Sequence, residues 1–164
     1  MTRMRPASRK KSYLSQTIHG YRGYASSRIA RKTDQVFSEE ILSKLSDTMA
    51  TIGRMRRLAG GTLAPDAIPS LDALVQSVDR LSKHVAQTEP TDDMLLQTLE
   101  EGKADEIVSL DSDVMEKIGN VNQALSMMDL EAGVGISSDE LDSISELVDD
   151  LADCLRKRSM LIAG

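Results

Sequence analysis

Residues 71–85, "LDALVQSVDRLSKHV", place Leu71, Leu74, Val78, Leu81 and Val85 at spacings of three, four, three and four. On an α-helix those positions line up as one narrow apolar stripe, whereas on a strand they would scatter over both faces. The stretch therefore predicts a helix that buries one seam against others like it. The neighbouring segments repeat the pattern. Upstream, Leu42, Leu45, Met49 and Ile52 form a second stripe, joined by Val36, Ile41 and Met55, and predict a helix over about residues 27–59 that Gly60-Gly61 ends. Between the two lies "GGTLAPDAIP", in which Pro65 and Pro69 bar helix until Ser70 can cap the next one.

Downstream, "PTDDMLLQTLEEG" (90–102) predicts a short helix with Thr91 as N-cap, Asp92 and Asp93 at the positive end of its dipole and Gly102 as its stop. The next stripe is Ile107, Val114, Ile118, Val121, Leu125 and Met128, ending near Gly133. Asp111 stands at a seam position and breaks it, so Ser112 is expected to begin a fresh helix. The last helix opens at "ISSDEL" (136–141), where Ser137 and Glu140 are spaced as a capping box and Ile136 and Leu141 as a hydrophobic staple. Ile144, Val148, Leu151 and Leu155 follow on one face. Arg156, Lys157 and Arg158 sit in the closing turns, where cations complement the dipole, and the helix is expected to reach about residue 161.

No segment alternates as a strand does, and the short connections imply antiparallel neighbours. The fold class is all-α: an elongated antiparallel bundle of four to five helices with coiled-coil-like seams and a basic N-terminal arm. Residues 1–25 are assigned to the arm and 26–164 to the bundle. With only four aromatic residues among 164, Leu, Ile, Val and nine Met must fill the seams.

Charge is sorted along this chain. Residues 1–33 hold nine Lys/Arg and no Asp/Glu, leaving eleven basic and 26 acidic side chains in the rest, a balance of minus fifteen. A block of like positive charge reads as an interaction tail, and unpaired acidity on helices as solvated surface. Arg9, Lys10, Lys11, Arg22, Arg28, Arg31 and Lys32 are the candidate contact cations, with Tyr21 and Tyr24 as anchors. Three kinds of partner compete: an acidic protein surface, including another copy of the chain, an anionic membrane surface, and, less favoured, nucleic acid. Protein is preferred because it accounts for the charges of arm and body together. On this reading, removing residues 1–25 abolishes partner binding and leaves helicity and melting largely intact.

The acid-free, Arg- and Ser-rich opening also has the character of a mitochondrial transit peptide, with "RGYAS" (22–26) placing a cleavage after Tyr24. The single Cys154 forms no internal disulfide, which points to a reducing compartment. The cytoplasm is the expected location, with the mitochondrial matrix or a membrane periphery as alternatives.

Residues that carry chemistry are scarce. His19 and His84 have no partner in sequence and are expected at the surface, and Cys154 beside Leu151 and Leu155 reads as a small buried hydrophobe. The acids Asp92-Asp93, Asp111 with Asp113, and Asp149-Asp150 with Asp153 lack the register of a calcium loop, and Gly133 and Gly135 read as a helix stop. The expectation is a non-enzymatic interaction or scaffolding protein, self-associating, with no catalytic site, metal or cofactor.

The run Gly20-Tyr21-Arg22-Gly23-Tyr24, followed by Ile29, Arg31, Asp34, Val36 and Phe37, resembles the opening of a set of small uncharacterised prokaryotic helical proteins. These begin GYxGY, continue with a basic amphipathic helix containing RxxD, and end in coiled-coil-like helices. The likeness covers about twenty residues, and Ala-Ser-Ser replaces the usual charged mix after the second tyrosine. It implies no activity. What it implies is that the two Gly-Tyr pairs are a structured element, with Gly20 and Gly23 permitting turns that fold Tyr21 and Tyr24 back against the first helix.

Overall fold

The computed structural model describes residues 6–60, 65–131 and 136–163. Among them are six α-helices and one short 3-10 turn, with no strand: α1 (Pro6–Thr17), α2 (Ser27–Leu58), the turn Pro65–Ala67, α3 (Ile68–Gln87), α4 (Asp92–Glu100), α5 (Ala104–Glu131) and α6 (Ser138–Ala163). The all-helical class read from the seams is what the structure has, and it is compatible with a helical bundle.

The local signals explain most boundaries. Ser26 caps α2 by accepting from the Ile29 N–H, and Arg56 and Arg57 occupy its last turn, where cations suit the dipole. Thr91 caps α4 by accepting from Met94 N–H at 3.2 Å, and Gly102, at φ 72°, reverses the chain into α5. Two starts differ from the sequence reading. Helix α3 begins at Ile68, ahead of Ser70, because Pro69 falls in the first turn, where its missing N–H has no helical partner to lose. No fresh helix starts at Ser112, since α5 runs unbroken through Asp111. Gly61, Gly133 and Gly135 lie outside the described residues.

Contacts run α2–α3, α3–α6, α6–α5 and α5–α2, so the four longest helices close a circuit around one core. Their directions follow from side-chain pairs. Arg56 meets Asp72 while residues 31–42 of α2 face residues 85–90, so α2 and α3 are antiparallel. Thr48 donates to Asn122, and Asp34 and Asp111 share a partner further down, so α2 and α5 run parallel. His84 meets Ser159 and Ser77 faces Val148, so α3 and α6 are parallel too. Helix α5 is therefore antiparallel to α6. Helix α4 is tied to the end of α6 by Thr98, whose hydroxyl reaches the Ile162 carbonyl at 3.2 Å.

The described part of residues 1–25 does not stand off from the helices. Helix α1 lies along α5, and Leu14, Ile18, Tyr21 and Tyr24 belong to the same buried core as Phe37, Ile107 and Leu155. Among the described residues, no helix is long and apolar enough to cross a membrane.

Candidate functional site: a buried tyrosine–carboxylate–guanidinium cluster

Asp111 is the seam position that looked like an interruption, and it is fully buried. A carboxylate taken out of water must be matched by donors, and here three converge on it. Tyr21 and Tyr24 each donate their hydroxyl to Oδ2 at 2.7 Å, and Arg158 donates Nε–H to Oδ1. Arg158 then uses Nη2 twice, to Asp34 Oδ1 at 2.7 Å and to the Tyr24 hydroxyl oxygen at 2.8 Å. Its guanidinium lies over Phe37, 4.5 Å from the ring centroid, in a cation–π contact that keeps the charge against an electron-rich face. The two tyrosine rings meet edge to face, centroids 6.3 Å apart. Among the described residues, every buried side-chain nitrogen and oxygen has a partner.

Each member is held there for a local reason. Gly20 and Gly23 sit at φ 88° and 76°, a region costly for other residues, and so the chain turns inward twice within four residues. The Tyr21 N–H donates to the Ile18 carbonyl at 3.1 Å, and the Arg22 N–H donates to Thr33 Oγ1 at 3.2 Å, pinning the loop to α2. The Lys11 side chain lies across Gly23, so close that a β-carbon there would meet its Cε at 2.9 Å. Tyr21 and Tyr24 thus point in, and Arg22 between them points out.

This geometry corrects two readings of the sequence. The tyrosines are not surface anchors, since both are 3% exposed and their hydroxyls are committed to Asp111. Arg158 does not serve the α6 dipole from the surface. At 5% exposure it is the internal counter-charge of Asp34 and Asp111.

Burial pushes both tyrosine hydroxyls well above their usual range, and the facing Asp111 pushes the same way. Burial disfavours the Arg158 charge, but the facing Asp111, Tyr24 and Asp34 outweigh it and hold the group above its usual range. The sign for stability follows. A folded-state value raised above the unfolded one stabilises the fold fully below the unfolded pKa of about 10, and that contribution is lost as pH rises past it. With two such tyrosines, stability should fall by about 2.7 kcal/mol per pH unit above pH 10. In an alkaline titration followed at 295 nm and by circular dichroism, their two tyrosinates should appear together with the loss of helix. Ionisation of all tyrosines with helix intact would refute the burial.

The remaining candidate cations divide. Lys10 donates to Asp113 and Ser109 on α5, at 3.0 and 2.7 Å, and Arg31 pairs with Asp92. Arg9, Lys11, Arg22, Arg28 and Lys32 are exposed and make no ion pair among the described residues. His19 is exposed, whereas His84 is half-buried and meets Ser159 Oγ at 3.0 Å. The same hydroxyl lies 3.0 Å from the Leu155 carbonyl. Cys154 is buried near the Leu110 carbonyl, and burial raises its thiol, with Asp113 adding to the effect. Asp111 is spoken for by its donors, and among the described residues no group of three His, Cys, Asp or Glu could hold a metal.

Sequence reasoning missed Asp34, Asp111 and Arg158 as one unit. The signal available was the lone acid inside an otherwise unbroken apolar stripe, which demands a buried cation somewhere in the chain. No protein-family model, curated protein or solved structure matches this chain.

Proposed function

We propose that the protein is a non-catalytic helical interaction or scaffolding protein, an elongated bundle in which α2 and α5 run one way and α3 and α6 the other, and whose N-terminal segment presents a basic surface to an acidic protein face. The observation that supports it best is the set of five exposed cations, Arg9, Lys11, Arg22, Arg28 and Lys32, with no acidic partner among the described residues of a chain that is acidic overall. The buried cluster gives those charges a fixed platform. Arg22 is held outward between two inward tyrosines, Lys11 lies beside it across Gly23, and Arg28 and Lys32 share one face of α2 at a four-residue spacing. Cations held in place lose less entropy on binding than cations on a loose tail.

The test uses poly-glutamate as an acidic polypeptide, phosphatidylserine vesicles and single-stranded DNA, each at low and high salt. Poly-glutamate should bind, weaken with salt, and lose about tenfold or more in affinity when Arg22, Arg28 and Lys32 are changed together to Gln, with melting unchanged. Equal binding by the triple variant would overturn the proposal. So would binding to vesicles or DNA with none to poly-glutamate.

A further inference from the structure

The surroundings of the basic surface narrow what it can receive. Arg31 already pairs with Asp92 and lies within the field of Glu89, while the start of α1 borders Asp105 and Glu106 across a shallow recess. The unpaired cations are thus flanked by acids on two sides. With charges screened over roughly 8 Å at physiological salt, a broad anionic plane would feel the flanking acids as well as the cations. A narrow acidic ridge would feel mainly the cations.

The chain itself carries such a ridge. On α6, Asp139, Asp142, Glu146, Asp149 and Asp153 follow one another at spacings of three, four, three and four. That is the rhythm of an apolar seam, written in acids. All five are exposed, and among the described residues only Asp153 has an ion-pair partner, Arg156 on the same helix. At 1.5 Å per residue the stripe is about 21 Å long and one helix face wide. It runs along the exposed side of α6, with Asp149 bordering the α3–α6 recess beside Arg80 and Arg156, while Leu141, Ile144, Val148 and Leu151 face the core. Among the described residues, none of the exposed cations of the N-terminal segment pairs with it.

We propose that the basic surface takes the acidic stripe of α6 from a second copy of this chain. This rests on the reading above that the surface docks on an acidic protein face, and it names that face. The stripe faces outward from α6, which stands across the helix circuit from the α2 cations, so one pair of copies does not make both contacts at once and the contact is heterologous: each copy keeps an unused basic surface and an unused stripe, and association continues as a ring or an open chain rather than stopping at a two-fold dimer. Assembly is driven by charge, so it grows at low salt and recedes at high salt.

The experiment is light scattering of the full chain with two neutralised variants, one carrying Arg22→Gln, Arg28→Gln and Lys32→Gln, the other Asp142→Asn, Glu146→Gln and Asp149→Asn. All six positions are exposed, and circular dichroism checks that both variants fold. The wild type should grow in mass with concentration at low salt. Each variant alone should stay monomeric. Their equimolar mixture should stop at a dimer, because only one complementary pair of surfaces remains. The stripe variant should still bind poly-glutamate as the wild type does. Wild-type-like assembly of the stripe variant, or a wild type that stays monomeric at low salt, would overturn the inference. If poly-glutamate binding persists in that case, the basic surface keeps its role and only the second copy is wrong. If that binding is absent as well, the reading beneath it falls too.

Discussion

Replacing Asp111 by alanine should lower stability by about 3–5 kcal/mol, the range seen when one partner of a buried ion pair is removed. The expected shift in melting temperature is about 6–20 °C at this chain length. The size follows from what is left behind. Arg158 would stay buried at 5% exposure with only Asp34 to balance it, and the hydroxyls of Tyr21 and Tyr24 would lose their shared acceptor. An adjacent control separates this from any loss of charge on α5. Asp113 pairs with Lys10 at 3.0 Å, but both side chains are more than a third exposed, so Asp113→Ala should cost at most about 1 kcal/mol. Urea denaturation of the two variants makes the comparison. Equal costs would mean that the cluster does not hold the fold together.

Deleting residues 1–25 should be at least as damaging. The sequence alone suggested a detachable arm whose loss spares the helices. In the structure that deletion strips Leu14, Ile18, Tyr21 and Tyr24 from the core and uncovers Asp111 and Arg158. Each fully buried aliphatic side chain contributes about 1.5–3 kcal/mol, and the two tyrosines add their rings and their hydrogen bonds to a carboxylate. The loss is of the order of 5 kcal/mol or more, a large fraction of the stability of an ordinary domain. The truncated chain should melt broadly and far lower, with helical circular dichroism reduced at room temperature. A truncated protein that melts like the full chain would restore the detachable arm. Because truncation damages the fold, it is a poor probe of binding, and the exposed Arg22, Arg28 and Lys32 are the positions to change for that purpose.

What was legible in the sequence was local. The apolar stripes of residues 36–55 and 71–85 and the Thr91 and Gly102 signals each act within one or two turns, and they placed α2, α3 and α4 to within a few residues. The likeness to GYxGY openings likewise suggested that the tyrosines fold back toward Phe37, and the structure places both of them in the core with it. The cluster was not legible because its parts are far apart in the chain. Arg158 lies 47 residues from Asp111 and 124 from Asp34, and the tyrosines lie 87 and 90 residues before Asp111. Taken alone, Asp111 is an interruption of a stripe and Arg158 one of three cations ending a helix. Only the packing of α2, α5 and α6 reveals that each is the condition for burying the other. The charge asymmetry was legible as a sum over residues, but not its division into cations paired with α4 and α5 and cations left exposed, because that depends on where α1 lies.

The central claim is that the Gly-Tyr loop is locked inward, and hydrogen exchange of the Arg22 amide in the full-length protein tests it most directly. Among the described residues that N–H is held only by Thr33 Oγ1, so it is shielded only while the loop is docked on α2. Its protection should approach that of the core amides of α2 and be lost together with theirs in Asp111→Ala. Exchange at the rate of an unstructured peptide, with α2 still protected, would show the loop to be free and would contradict it.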